Sequence, residues 1–162
     1  MRRAARVAAA TALVASASGV WAQAFDVTHC YAGTATVVFA SDDAVVASFD
    51  HKGIYRANGD SKLLHGASIH CAGITTVINK KRTVSGGCKT VDPKGDTIAG
   101  VFEGAGPAGG DAGTAQAVGG TGTWKGVSGG GNWQVHTPSK PLVPGTFQGC
   151  LRFHGAYKVP GK

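Results

Sequence analysis

Cys71 and Cys88 constrain the fold of this chain more than any other feature of its sequence. An alternating apolar run follows Cys71 and ends at Asn79-Lys80, after which a second alternating run leads to Cys88. A two-residue hairpin turn at Asn79-Lys80 would pair the residues on either side symmetrically, and that register places Cys71 directly opposite Cys88. Opposed residues on one face of adjacent strands lie within disulfide reach. We therefore predict a β-hairpin that carries a Cys71–Cys88 disulfide.

The two remaining cysteines, Cys30 and Cys150, are then expected to pair with each other. Alternation places each of them on the more polar face of its strand, one near the start of the chain and one near its end. If the first and last strands are neighbours, the sheet is a closed barrel. The alternative is a zinc site built from His29-Cys30 and His70-Cys71. Adjacent strand residues point to opposite faces, however, and the close ligand spacings of zinc sites are missing, so we predict two disulfides and no metal.

The rest of the chain reads as strands separated by tight turns. It contains 26 glycines, and no segment after the N-terminal region has the apolar spacing of a helix. The predicted fold class is all-β, a closed eight-stranded antiparallel barrel stapled by two disulfides. The predicted strands span about residues 27–39, 44–56, 67–78, 82–91, 96–104, 113–119, 131–137 and 146–158.

Residues 1–24 have the layout of a secretory signal peptide. A cationic start is followed by an apolar run and by Ala22-Gln23-Ala24, a small-x-small cleavage site. The apolar run is shorter than the ~20 residues that a membrane-spanning helix needs, and no second such run follows. We predict export to the periplasm or the extracellular space, where disulfides persist, and a single mature barrel domain over residues 25–162.

The charge of the chain argues against a nucleic-acid partner. Removal of residues 1–24 takes away three of the 16 lysines and arginines and none of the nine acids, so the formal net charge falls from +7 to +4. The remaining bases are scattered, except for Lys80-Lys81-Arg82 at the predicted hairpin tip. Nucleic-acid surfaces usually carry a basic stripe with interleaved aromatic residues, and none is visible here.

The segment Gly119–Gly131, GGTGTWKGVSGGG, could suggest a phosphate-binding loop. It contains no Gly-Lys-Ser or Gly-Lys-Thr, and no helix pattern follows it. Trp124 and Val127 within it also argue against a disordered linker. We interpret it as a connection in which glycines adopt positive φ and one aromatic side chain plugs an end of the barrel.

The same segment resembles a known family. The spacing Gly119-Gly120-Thr121-Gly122-x-Trp124-x-Gly126-x-x-Gly129 is similar to a segment found late in allene oxide cyclases and dirigent proteins, and in secreted bacterial relatives of unknown role. The resemblance implies an eight-stranded calycin-like barrel. The motif is structural in that family, so it implies the barrel and not a reaction.

Two residues are candidates for proton transfer. Glu103 shares a strand face with Thr97, Ala99 and Val101. If that face lines the lumen, burial would raise the pKa of Glu103 and make it a proton donor or acceptor; the alternative is a solvent-exposed carboxylate. His51 shares a face with Phe49 and is either catalytic or an ordinary structural histidine. Candidate ligand-binding residues are Phe49, Phe147, Leu151, Phe153 and Tyr157.

Two functions from different classes fit these features. In the first, the exported barrel binds a small hydrophobic molecule and either carries it or catalyses a cofactor-free cyclisation, isomerisation or lyase step by shape and orientation. In the second, it is a non-catalytic structural or interaction module of the cell envelope, with a lumen filled by side chains. A cavity above roughly 300 Å³ favours the first. No cofactor motif or Gly-x-Ser-x-Gly occurs, and the sequence leaves the ligand, catalysis and homo-oligomerisation open.

Overall fold

The computed structural model describes residues 21–107, 111–138 and 140–160 of the chain. Its strands are β1 (Ala22–Ala40), β2 (Ala44–Ala57), β3 (Ser68–Ile78), β4 (Lys81–Val91), β5 (Thr97–Gly106), β6 (Ala112–Gly120), β7 (Ser128–Pro138) and β8 (Thr146–Lys158). Each strand is antiparallel to the next, and β8 pairs with β1, so the sheet closes into a barrel. A single turn of 3-10 helix at Gly122–Trp124 precedes β7. The predicted fold class is confirmed.

The β3–β4 hairpin has the predicted register. Asn79 and Lys80 have φ values of 49° and 66°, as a two-residue type I′ turn requires. Ile78 pairs with Lys81 and, further along, Cys71 pairs with Cys88, with an S–S distance of 2.05 Å. This disulfide lies on the inner face of the barrel, because Cys71 is buried with the core residues.

The second predicted disulfide closes the barrel. Cys30 of β1 pairs with Cys150 of β8 at an S–S distance of 2.02 Å, across 120 residues of sequence. Strands β1 and β8 are in register from Ala22↔Lys158 to Thr34↔Thr146. All four cysteines are therefore paired, as the sequence predicted.

One end of the barrel is closed by the glycine-rich segment. The indole of Trp124 is 2% exposed, and its Nε1 donates a hydrogen bond to Asp92 Oδ2 over 3.0 Å. Gly122 has a φ of +51°, and a Cβ at this position would lie 1.9 Å from Asp96 Oδ1. The same Asp96 carboxylate accepts a hydrogen bond from the Thr123 backbone N–H. The segment thus caps the barrel with an aromatic plug, as predicted from its sequence.

The N-terminal region lies only partly within the described residues. Residues 1–20 of the predicted signal peptide are outside them, whereas Ala22–Ala24 form the first residues of β1 and pair with β8. Strand β1 thus begins before the predicted first mature residue, Phe25. Within residues 21–107, 111–138 and 140–160, no helix is long and apolar enough to cross a membrane.

Candidate functional site

A cavity of about 270 Å³ lies inside the barrel. Its volume is just below the roughly 300 Å³ at which small-molecule sites typically begin, so any occupant is small. The interior is nevertheless not filled by side chains. Most of its wall is apolar, and the phenylalanine, tyrosine and tryptophan side chains in it are Tyr31, Phe49, Tyr55, Phe102, Trp133, Phe147 and Phe153.

The alternation of side chains along each strand decides which residues reach this cavity. Four of the five predicted ligand-binding residues line it, namely Phe49, Phe147, Leu151 and Phe153. Tyr157 does not. Its ring packs against Phe25 at a centroid distance of 4.8 Å and against Trp124 at 6.2 Å, near the closed end of the barrel. The placement of these side chains is thereby established, and their part in ligand binding stays a prediction.

His51, one of the two predicted proton-handling residues, lies in the cavity wall. Its ring is stacked on Phe49 at 5.8 Å and lies 4.8 Å from the ring of Tyr31. Neither ring nitrogen of His51 has a hydrogen-bond partner. Burial lowers the pKa of His51 to about 4, so the imidazole is neutral at neutral pH and offers one acceptor and one donor nitrogen.

A second buried histidine, His29, lies beside His51. The two ring centroids are 5.4 Å apart, and His29 is only 2% exposed. Burial, with a smaller contribution from His51, lowers the pKa of His29 to about 3. Its Nε2 has no hydrogen-bond partner and lies against Gly53, where an added Cβ would approach it to 2.6 Å. In the sequence, His29 is a candidate only for a zinc site, although its alternation with Val27 and Tyr31 marks an inner-face position.

The other predicted proton-handling residue, Glu103, is outside the barrel. Along β5, Ile98, Gly100 and Phe102 face inward, which leaves Glu103 exposed on the outer face. The face that carries Glu103 therefore does not line the lumen, which was the condition for a role in proton transfer. The strand pattern is misleading because Val101, on the same outer face as Glu103, is apolar and yet 49% exposed.

The carboxylate that does line the cavity belongs to Asp111, which precedes β6. Asp111 is 5% exposed, and its Oδ2 lies 3.1 Å from Arg82 Nη1. Burial raises the pKa of Asp111, and the neighbouring Arg82 partly opposes that effect. Its other oxygen, Oδ1, is buried without a hydrogen-bond partner. The sequence did not single out Asp111 because it falls between the predicted strands 96–104 and 113–119, where no alternation applies.

Arg82 is held in the cavity wall by two contacts. Its Nε donates to Thr75 Oγ1 over 3.1 Å, in addition to the ion pair with Asp111. The side chain is 33% exposed, so this part of the wall reaches solvent. Burial raises the pKa of the nearby Tyr31 phenol. The phenol therefore stays protonated at neutral pH and can donate a hydrogen bond.

The arrangement suits an aromatic molecule with one polar group. The rings provide apolar and edge-to-face contacts, whereas His51 and Asp111 provide nitrogen and oxygen atoms that lack partners. A neutral imidazole and a carboxylate can both accept a proton. Within the described residues, no group of three or more His, Cys, Asp or Glu side chains is placed to hold a metal ion.

No protein-family model matches the chain, and no curated protein matches it either. Among solved structures, the barrel is similar to the pterocarpan synthase dirigent protein GePTS1, with 13% identity and a TM-score of 0.49 over 86% of this chain and 88% of that chain. It is also similar to the pterocarpan synthase dirigent protein PsPTS1, with 12% identity and a TM-score of 0.48 over 85% and 96% of the two chains.

Proposed function

We propose that this protein is an exported barrel that binds a small aromatic molecule bearing a hydroxyl or similar donor group. We further propose that it promotes a cofactor-free cyclisation or isomerisation of that molecule by proton transfer. One observation carries the proposal: the aromatic cavity of about 270 Å³ contains buried atoms of His51 and Asp111 that have no hydrogen-bond partner.

The unpartnered atoms favour a ligand with a donor group over a purely apolar one. A buried polar group without a partner typically destabilises the fold by about 1–3 kcal/mol. A hydroxyl that donates to His51 or to Asp111 Oδ1 removes that penalty, while the ring of the ligand packs among Phe49, Phe147 and Phe153. The barrel without ligand is thus left with an unsatisfied site that a phenol or an enol would complete.

The same groups support proton-transfer chemistry. His51 is neutral, and Oδ1 of Asp111 has no hydrogen-bond partner. Either group can therefore accept the proton of a bound hydroxyl. The guanidinium of Arg82, at 3.1 Å from Asp111, is placed to stabilise negative charge that develops nearby. Positioned proton transfer of this kind typically accelerates a reaction by about 10²–10⁴-fold. The rest of the acceleration would come from holding the substrate in a reactive conformation.

The proposed location outside the cytoplasm rests on two features. The two disulfides fit an oxidising compartment, and residues 1–24 have the pattern of a signal peptide. N-terminal sequencing of the protein from cells that export it would identify the mature first residue.

A pair of matched probes tests the proposal. We expect 2-naphthol to bind more tightly than naphthalene, by about five- to tenfold, because one neutral hydrogen bond contributes about 1 kcal/mol net. Fluorescence titration of both probes measures the ratio. His51→Leu and Asp111→Asn should reduce it, whereas His136→Gln on the exposed outer wall should not. Native mass spectrometry of the exported protein should also detect a co-purified small molecule.

The opposite result would favour the second function. If neither probe binds and no small molecule co-purifies, the barrel is a structural or interaction module with an unused interior. If both probes bind equally well, and the variants bind like the wild type, the cavity binds ligands without the proton-handling groups and the catalytic part of the proposal fails.

A further inference from the structure

Exposed apolar side chains gather at the end of the barrel opposite the Trp124 plug. They lie in the last residues of β1, at the end of β3 and in the segment that precedes β8. Their exposed fractions range from 52% for Ile78 to 84% for Leu142. We call them the apolar rim, and its members are Val37, Val38, Phe39, Ile78, Leu142 and Val143.

Backbone contacts hold these segments beside one another. The Ala35 N–H donates to Gly145 O over 2.8 Å, which fixes the segment before β8 against β1. The Asn79 N–H donates to Asp43 O over 3.0 Å, which joins the β3–β4 turn to the β1–β2 turn. Because consecutive strands are antiparallel, the turns at 41–43 and 79–80 lie at one end, with the segment 140–145. Arg82 and Asp111 line the cavity at this same end, so the rim lies beside its mouth.

A register shift shapes the most prominent part of the rim. Val37 pairs with Ala47, but Phe39 pairs with Val46, so Val38 has no partner on β2. Without this shift, alternation would aim Phe39 toward the barrel axis, as it does Val37. With it, Phe39 shares the outer face with Val46 and is 54% exposed. The shift therefore leaves the mouth open and presents an aromatic ring to the surroundings.

We propose that the apolar rim docks the barrel on a lipid surface that contains anionic lipids, and that the cavity takes up its ligand from that surface. Lys80, Lys81 and Lys140 are exposed at this end, where they would face lipid phosphates. Two acids, Asp42 and Asp43, share a cleft with Lys80 and offset part of this charge. Apolar side chains flanked by lysines are typical of proteins that bind at the membrane interface.

A lipid surface fits the rim better than a protein partner. A second copy seated on the rim would cover the mouth of each cavity. A peptide added as a further strand is disfavoured too. The part of β1 beyond Thr34 extends past its pairing with β8, but the bulge at Val38 interrupts the regular spacing of its backbone groups. A lipid surface needs no such regularity, and it can supply an apolar ligand directly to the mouth.

Vesicle flotation tests the docking. The exported protein, with its mature N-terminus verified by mass spectrometry, is mixed with vesicles of phosphatidylcholine alone or with about 30% phosphatidylglycerol. We expect binding to the anionic vesicles that weakens with salt. The double variant Phe39→Ser/Leu142→Ser should bind about tenfold more weakly, because two exposed apolar side chains lose their burial in lipid. Val101→Ser, which changes an apolar residue that is 49% exposed on the barrel wall, is the control and should bind normally.

Three outcomes would overturn the proposal. The wild type does not float with the vesicles, or Val101→Ser loses as much binding as the double variant. The third is that sedimentation shows a dimer of the wild type that the double variant does not form, which would make the rim a dimer interface. The uptake of ligand from lipid rests on the proposed function, but docking can be judged separately. His51→Leu should still float with the vesicles, and the double variant should bind 2-naphthol in vesicle-free solution as the wild type does. If His51→Leu does not float with the vesicles, the result counts against docking. If neither the wild type nor any variant binds 2-naphthol, the result counts against the ligand-binding function.

Discussion

The buried histidine His29 should make the barrel sensitive to acid. Burial lowers the pKa of His29 from its ordinary value of 6.5 to about 3 in the folded state, whereas in the unfolded chain the group titrates normally. Between these values the unfolded chain binds a proton that the folded barrel does not, so the free energy of unfolding falls as the pH decreases below 6.5. The contribution of neutral, buried His29 to the free energy of unfolding is therefore complete above pH 6.5 and is lost progressively as the pH falls toward 3.

The magnitude follows from the same two values. Each pH unit between them is worth about 1.4 kcal/mol, so acidification from pH 7 to pH 4.5 should lower the free energy of unfolding by about 2.5 kcal/mol through His29 alone. His51, with a pKa of about 4, acts in the same direction. Small domains are stable by only about 5–15 kcal/mol, so the loss is a large fraction of the total.

Denaturant unfolding at pH 7.0, 5.5 and 4.5, without reductant, measures this effect. His29→Gln cannot be protonated, so its free energy of unfolding should fall less between pH 7 and 4.5 than that of the wild type, by about 2.5 kcal/mol. His136→Gln, on the exposed outer wall, is the control and should follow the wild type. If the gap between wild type and His29→Gln is the same at pH 7 and pH 4.5, His29 is accessible to solvent and the reasoning fails.

Three further predictions concern the cap, the closure and the outer wall. Gly122→Ala should lower the free energy of unfolding by about 1–3 kcal/mol, since it combines positive φ with a Cβ 1.9 Å from Asp96 Oδ1; Gly119→Ala, where a Cβ meets nothing within 4 Å, should differ little in a thermal melt. Replacement of both Cys30 and Cys150 by alanine should lower the free energy of unfolding, measured with denaturant, by about 4–5 kcal/mol, because the disulfide closes a loop of 120 residues. A loss below about 1 kcal/mol would contradict that account. Glu103→Gln should change the free energy of unfolding by less than about 0.5 kcal/mol and leave the affinity for 2-naphthol unaltered, because Glu103 is exposed outside the barrel. Weaker binding of 2-naphthol would mean that Glu103 contributes to the ligand site.

The fold could be predicted because a few local rules determine it. A two-residue turn fixes the register of a hairpin, so Asn79-Lys80 was enough to place Cys71 opposite Cys88. With four cysteines, that pair leaves Cys30 and Cys150 for each other, and their strands must then be neighbours. Local turn chemistry and one covalent constraint thus specify the closure of the whole sheet.

The site was harder to predict because alternation gives two faces without saying which is inside. On β2 the apolar side chains mark the inner face clearly, and His51 was placed correctly. On β5 both faces carry apolar residues, so the sequence left open whether Glu103 faces the lumen or solvent, and the structure places it on the outer face. Asp111 lies just outside a strand, so no alternation applies to it. It contacts Arg82 of β4, two strands away, and alternation along a single strand does not reveal such a contact.

The pairing of β1 with β8 also sets the order of events as the chain is synthesised. Cys71 and Cys88 leave the ribosome 17 residues apart, so their hairpin can form as a local unit and oxidise first once the chain is in an oxidising compartment. Cys30 leaves earlier still, but its partner follows only 120 residues later. During that interval Cys30 is a free thiol beside two cysteines that belong to each other. Correct maturation therefore depends on whether the hairpin closes before Cys30 reaches it, and a thiol–disulfide isomerase would matter most for chains in which it does not.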